Sequence, residues 1–279
     1  MKLNYLKLSL LVFAISMFAN NLYSQGAYVN INAGYGLSMS SQNLNNFYNS
    51  TDVLNSRTDE QVNLSLGKGL NIGGALGYMF NKNIGVELGL SYLLGGKSKA
   101  QDLYDGNTPL GTPTVGTTDY TLSSNMLRIN PTLVIASGFE KINPYAKFGF
   151  VIGSGSIMSE YIDNDGTDIE IRKEKFNGGL AFGLNAGVGA LFNMSEKMSF
   201  FGELNMVNLS YAPTKGELTE ATFNGADELP TMTTRERETV FVSSYNRNAP
   251  RSDSQPRQEL EQKFPFGSFG VNIGLRFSL

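Results

Sequence analysis

Apolar residues occupy every second position through eight separate stretches of this chain. A period of two marks a β-strand, whose successive side chains point to opposite faces. The first stretch sets Ala27, Val29, Ile31, Ala33, Tyr35 and Leu37 against Asn30, Asn32, Gly34 and Gly36. Further stretches run from Leu70 to Phe80, Ile84 to Leu94, Leu127 to Ile135, Tyr145 to Ile152, Leu180 to Phe192 and Phe200 to Met206. The last, Phe269 to Leu279, alternates without a fault. A strand needs partners on both edges, so this final stretch reads as the one that closes a sheet on itself, beside Ala27 to Leu37.

The connections sort by length. Asn81 to Asn83, Ser137 to Lys141 and Asn193 to Lys197 are short, whereas 39–66, 97–122, 157–178 and 212–263 are long. Short turns at one end and long loops at the other predict an all-β fold: an eight-stranded antiparallel transmembrane β-barrel with short periplasmic turns and long extracellular loops. A soluble sandwich would also alternate, but the asymmetry of the loops favours the barrel. Phe80, Phe139, Tyr145, Phe192, Phe200 and Phe277 fall near the short-turn end, where an interfacial aromatic girdle is expected. The run Thr239 to Tyr245 reads as a strand standing above the membrane; its use in a ten-stranded barrel is the main topological alternative. Residues 212–263 carry 16 of the 47 charged residues, which makes a lipid-facing hairpin there costly.

The amino-terminal segment supplies the expected address. Lys2 and Lys7 flank a start that leads into an apolar run from Leu8 to Phe18 and then small and polar residues to Gln25. This three-part layout predicts a signal peptide over residues 1–24, cleaved after Ser24, with the barrel domain over 25–279. The apolar run is too short to span a bilayer as a helix. The expected location is the outer membrane of a Gram-negative bacterium. With no cysteine there is no lipoprotein attachment site, no disulfide and no Cys-ligated metal. Cleavage leaves 20 basic against 25 acidic residues, a poor balance for nucleic acid.

Together, the signal segment, the eight alternating stretches, the Asn143-Pro144-Tyr145 opening of the fifth and a terminal strand closing on Phe277 and Leu279 resemble the small outer-membrane β-barrel proteins of the OmpA/OmpX type. The resemblance covers essentially the whole mature chain and rests on pattern rather than on a diagnostic motif. That family usually closes on an aromatic residue, where this chain has Leu279.

Eight strands enclose a lumen that side chains can fill, so no wide aqueous pore is expected. Glu87, Arg128, Lys147, Glu203 and Arg276 all fall on the polar side of their strands, with Asn30, Asn32, Asn71, Asn130, Asn185, Asn205 and Asn272. Ionised groups in a narrow lumen must be paired or hydrated. The expectation is an interior charge network, Glu87 with Arg128 on the adjacent strand and Lys147 with Glu203 across the lumen.

Catalytic chemistry has little to work with. The absence of histidine and cysteine removes the usual general base and the thiol nucleophile, so no enzyme is expected. Ser91 to Ser98, SYLLGGKS, lacks the first glycine of a phosphate-binding loop and reads as a strand entering a loop. Asp163 to Asp168 resembles the start of a calcium loop without its glycine at the sixth place, and reads as a hairpin tip with a primed turn. Asp163, Asp165, Asp168 and Glu170 could at most gather a divalent cation weakly. Loop one, Ser38 to Asn63, and loop two, with Pro109 and Pro113, read as irregular surface segments. The expected protein is a monomer without cofactor or metal, partnered by outer-membrane lipid and, through its loops, by an extracellular ligand or protein. Its role is structural or surface interaction; a narrow channel or small-ligand transporter is the alternative.

Overall fold

The computed structural model describes residues 26–39, 41–53, 56–107 and 113–279. The signal peptide expected over residues 1–24 lies outside them. The first strands are β1 (Ala27–Ser38), β2 (Gln42–Val53), β3 (Ser56–Leu64), β4 (Gly69–Met79), β5 (Ile84–Gly95) and β6 (Ser98–Asn107). They are followed by β7 (Pro113–Ala136), β8 (Ile142–Asn164), β9 (Ile169–Asn177), β10 (Ala181–Asn193), β11 (Met198–Tyr211) and β12 (Lys215–Phe223). The last are β13 (Ala226–Asp227), β14 (Glu238–Val242), β15 (Arg257–Leu260), β16 (Phe264–Pro265) and β17 (Ser268–Ser278). All belong to one hydrogen-bonded sheet.

Part of that sheet closes. β1 pairs antiparallel with both β17 and β4. The pairings continue from β4 to β5, β5 to β7, β7 to β8, β8 to β10, β10 to β11 and β11 to β17. The path returns to its starting strand, so this ring has no open edge. Alternation follows the pleat: Ile31, Leu76, Leu88, Phe148, Val188 and Ile273 point outward and are each more than half exposed. Asn30, Arg128, Glu203 and Arg276 point inward and are buried.

The aromatic girdle needs one correction. Phe80, Phe139, Phe192 and Phe200 are exposed on the outside near the short turns, but Tyr145 is buried in the lumen. Tyr145 shares the phase of Lys147, two residues on, and a strand sends both to the same face.

The long connections are also different from the irregular loops expected. β7 and β8 are 24 and 23 residues long, more than twice what a membrane-spanning strand needs. Each changes partner along its length. β7 pairs with β5 over Asn125 to Ile135 and with β6 over Pro113 to Leu122. β8 pairs with β10 up to Gly153 and with β9 from Ser156. Beyond the ring, on the side away from the short turns, the pairings run β3, β2, β6, β7, β8, β9, β12, β14, β15. This second storey is an open sheet with β3 and β15 at its edges among the described residues. Thr239 to Val242 belongs to it through β14, which pairs with β12 and β15 and with no strand of the ring. Loop one supplies β2 and β3, and the β8–β9 connection is a four-residue loop over Asp165 to Asp168 rather than a two-residue primed turn. Asp165 Oδ1 accepts from the Thr167 and Asp168 amides there. A primed turn does occur at Asn224-Gly225, both with positive φ, joining β12 to β13.

Inside, the ring is filled in three layers. At the second-storey end an apolar cluster of Leu66, Leu93, Met126, Ile157, Tyr211 and Phe266, all fully buried, occupies the axis. Leu66 and Phe266 sit there because their backbones cross-link the mouth: the Leu66 amide donates to Pro265 O at 2.8 Å and the Phe266 amide to Leu209 O at 2.8 Å. Near the short turns a smaller cluster joins Ala136, Tyr145, Leu191 and Phe201. Polar residues fill the layer between.

Glycine placement makes this filling feasible. A Cβ at Gly77 would overlap the Tyr28 ring, whereas one at Gly202 would meet nothing within 4 Å. Gly77→Ala should therefore lower stability by about 1–3 kcal/mol through overpacking, and Gly202→Ala should leave it within about 0.5 kcal/mol. Urea titration of the refolded protein in detergent, followed by the mobility difference between boiled and unboiled samples, measures both.

Candidate functional site

The middle layer holds the charged side chains. Glu87 comes from β5, Lys147 from β8, Glu203 from β11 and Arg276 from β17. Lys147 Nζ lies 2.8 Å from Glu87 Oε1 and 3.2 Å from Glu203 Oε2, so one ammonium spans the lumen between two carboxylates. Arg276 Nη2 approaches Glu87 Oε2 at 3.7 Å. Its Nε donates to Asn30 Oδ1 at 3.0 Å, and its guanidinium carbon lies 3.7 Å from the Tyr28 ring centroid.

Neutral donors complete both carboxylates. Tyr28 Oη donates to Glu87 Oε2 at 3.0 Å and Asn30 Nδ2 to the same oxygen at 2.7 Å. Tyr145 Oη donates to Glu203 Oε2 at 3.0 Å. Such hydrogen bonds to ionised acceptors offset much of the desolvation that a buried carboxylate incurs. The two tyrosines are members of this network that carry no charge to mark them in the sequence. Their signal was their phase, since each lies two residues from an inward polar position, Tyr28 beside Asn30 and Tyr145 beside Lys147.

Arg128 is not where the sequence placed it. The expected Glu87–Arg128 pair does not form. The β5–β7 register sets Glu87 opposite Thr132 and Arg128 opposite Ser91, a separation of four residues or about 13 Å along the strand. Arg128 therefore sits in the layer above, where its Nη1 donates to Asn71 Oδ1 at 3.4 Å. It borders a cavity of about 80 Å³ that Asn130, Asn185, Asn205 and Asn272 line together with Glu87, Lys147 and Glu203.

The carboxylates of the acidic string in the β8–β9 connection turn to separate partners. Asp163 accepts from the Thr118 hydroxyl at 2.6 Å, Asp168 from Asn224 Nδ2 at 2.6 Å, and Glu170 pairs with Arg172. Among the described residues no group of three or more carboxylates is placed to hold a metal ion. Ser91 to Ser98 runs from β5 into β6, with no helix to receive a phosphate. In the second storey, Lys173 bridges Glu220 at 2.9 Å and Glu160 at 3.4 Å, tying β9 to β12 and β8. The Glu220 hydrogen bond holds its ammonium above the ordinary lysine range.

What the middle layer does chemically is join strands that do not pair with one another. Removing the shared cation leaves two carboxylates facing each other in a space without water's dielectric. Lys147→Met should cost about 3–5 kcal/mol of stability. Glu203→Gln should cost less, because Lys147 keeps Glu87 and the amide still accepts from Tyr145. In the double variant the two losses should fall well short of their sum, as urea midpoints of the four proteins would show.

Comparison with known families adds a finding of its own. The family described as outer membrane protein beta-barrel domain matches residues 7–227. The match ends at the β12–β13 hairpin, and β17 carries the closed pairing on to residue 278. None of the curated proteins compared with the chain matches it. The closed ring, its apolar exterior and this match over most of the sequence lead to one conclusion: the chain belongs to the outer membrane protein β-barrel domain family.

Proposed function

We propose that this outer-membrane barrel protein is an anchored surface protein, in which the eight strands of the closed ring are the transmembrane staves and the second storey makes contacts outside the cell. The observation that carries this reading is the filling of the lumen. Leu66, Leu93, Met126 and Phe266, each with no exposed surface, lie across one end, and Phe201, 1% exposed, packs with Leu191 and Tyr145 near the other. A lumen sealed by apolar side chains at both ends offers ions no continuous wet path. Its role is then to hold the barrel rigid.

Other features support the same reading. The ring's exterior is apolar where lipid would cover it and girdled by phenylalanines near the short turns. A single chain closes the ring, so the monomer is complete without a second copy. The lack of histidine and cysteine favours a non-enzymatic role. The long strands β7 and β8 carry the sheet outward as a rigid platform, and binding usually lives on such projecting surfaces.

Two measurements test this. In planar bilayers the protein should give no stable single-channel steps; a reproducible step altered by Glu203→Gln would replace the anchor with the channel. Because the chain has no cysteine, single cysteines report sidedness cleanly. On intact cells a membrane-impermeant maleimide should label Ser254→Cys, in the exposed β14–β15 connection, and spare Glu196→Cys, in a short turn. The opposite labelling pattern would invert the proposed orientation, and labelling of neither would remove the second storey from the cell surface.

A further inference from the structure

The lumen carries more positive than negative charge. Lys147, Arg276 and Arg128 face it against Glu87 and Glu203, leaving one cation in excess. Both carboxylates are engaged by Lys147 and by the tyrosines, and Arg276 lies against Glu87 and Tyr28. The excess charge is therefore localised on Arg128, which is 3% exposed and reaches no carboxylate. Its Nε and Nη2 meet no acceptor on the protein, and its one hydrogen bond, to Asn71, is long. An ionised guanidinium buried without a counter-charge costs several kcal/mol, and guanidinium does not relieve the cost by losing its proton.

The surroundings of Arg128 suit an anion. It borders a cavity of about 80 Å³ lined by the amides of Asn71, Asn130, Asn185, Asn205 and Asn272 and also by Lys147 and the carboxylates of Glu87 and Glu203, which Lys147 and the tyrosines already engage. That volume accommodates a few water-sized species. Asn130 and Asn185 each leave Oδ1 without a protein partner. The two ends of an amide are exchangeable by a half-turn, which presents Nδ2 at the same place. Water alone would solvate these groups but would leave the lumen's net charge in place.

We propose that Arg128 and the amide side chains around it hold one small monovalent inorganic anion, of halide size, inside the barrel. The anion completes the charge balance of a lumen that the protein's own carboxylates leave one short. It enters during folding, before the apolar clusters close the two ends, and behaves as a structural ligand.

The test uses the full mature chain refolded from urea into detergent, in sodium bromide or in sodium gluconate at equal ionic strength. Gluconate is too large for the cavity. The thermal midpoint of the unboiled band should be higher in bromide and should rise with the logarithm of bromide concentration. Arg128→Gln should abolish the difference between the salts, while Lys263→Gln, which removes an exposed cation, should keep it. Crystals grown in sodium bromide should show anomalous bromine scattering beside the Arg128 guanidinium. Equal midpoints in both salts, or a difference that persists undiminished in Arg128→Gln, would overturn the proposal. Should Arg128→Gln fail to fold, the bromine map decides, and a map without a peak at Arg128 means the cavity holds water only and the site does not exist.

Discussion

Lys147 holds the barrel's interior together. Its ammonium lies between Glu87 and Glu203, and the three residues belong to β8, β5 and β11, which do not pair with one another along the ring. Backbone hydrogen bonds fix each strand to its two neighbours; only side chains can fix the far walls to one another. A single cation shared by two carboxylates does this at a cost in desolvation that the layer meets with neutral donors, Tyr28 and Asn30 to Glu87 and Tyr145 to Glu203. Those aromatic donors need room in a narrow lumen, and the room comes from glycine on the facing strand. A Cβ at Gly77 would strike Tyr28, one at Gly189 would crowd Tyr145, and one at Gly187 would press on Glu203. Charge, hydrogen bonding and the high glycine content are thus parts of one packing solution.

The same logic explains where the ring ends. β8 leaves β10 for β9 near Gly155, and the chain returns from β9 to β10 through Gly178 and Gly179, both in the left-handed region. The Tyr211 hydroxyl sits 2.8 Å from both Gly155 O and Gly178 O, at the branch itself, with Phe266 packed edge-on against its ring. A sheet that changes partners must leave backbone carbonyls unclaimed at the junction. One fully buried tyrosine shares its single hydroxyl proton between two of them and is in turn part of the apolar cluster at that end of the lumen.

How much of this was written in the sequence follows from what each region has to solve. Along the ring every strand meets an apolar exterior on one face and a crowded polar lumen on the other, so the period of two is strong and the stretches stand out. In the second storey both faces of β2, β3 and β6 are largely polar, as in Asn49-Ser50-Thr51-Asp52 or Thr58-Asp59-Glu60-Gln61, and the pattern that reveals a strand is absent. Register was equally hidden. Glu87 and Arg128 lie on paired strands with the right phase, yet a four-residue offset separates them, and nothing local in either strand encodes that offset. Lys147 and Glu203 come together across a strand they do not share, which their phase alone allowed. The tyrosines were visible as inward positions, but not as partners, because a hydrogen bond to a carboxylate depends on the layer in which each side chain lies.

The displacement of Arg128 from the layer of Glu87 has a consequence for how the two halves of the molecule divide their work. Had the two paired, the lumen would hold its opposite charges in compact pairs, and Lys147 would have competed with a guanidinium for the same carboxylate. With Arg128 one layer higher, the ion network near the short turns is compact, with both carboxylates paired to Lys147, while the polar layer beneath Leu93 and Met126 keeps one cation among amide side chains. The barrel is then braced at two levels, by the ion network and by the apolar cluster at the far end of the lumen. Strong Coulombic links work low in the lumen, and above them the polar cavity that Arg128 borders lies beneath the apolar cluster that includes Leu93 and Met126. Links of that kind tie together walls that the backbone ladder leaves unconnected, and this is the rigidity that the proposed surface platform calls for.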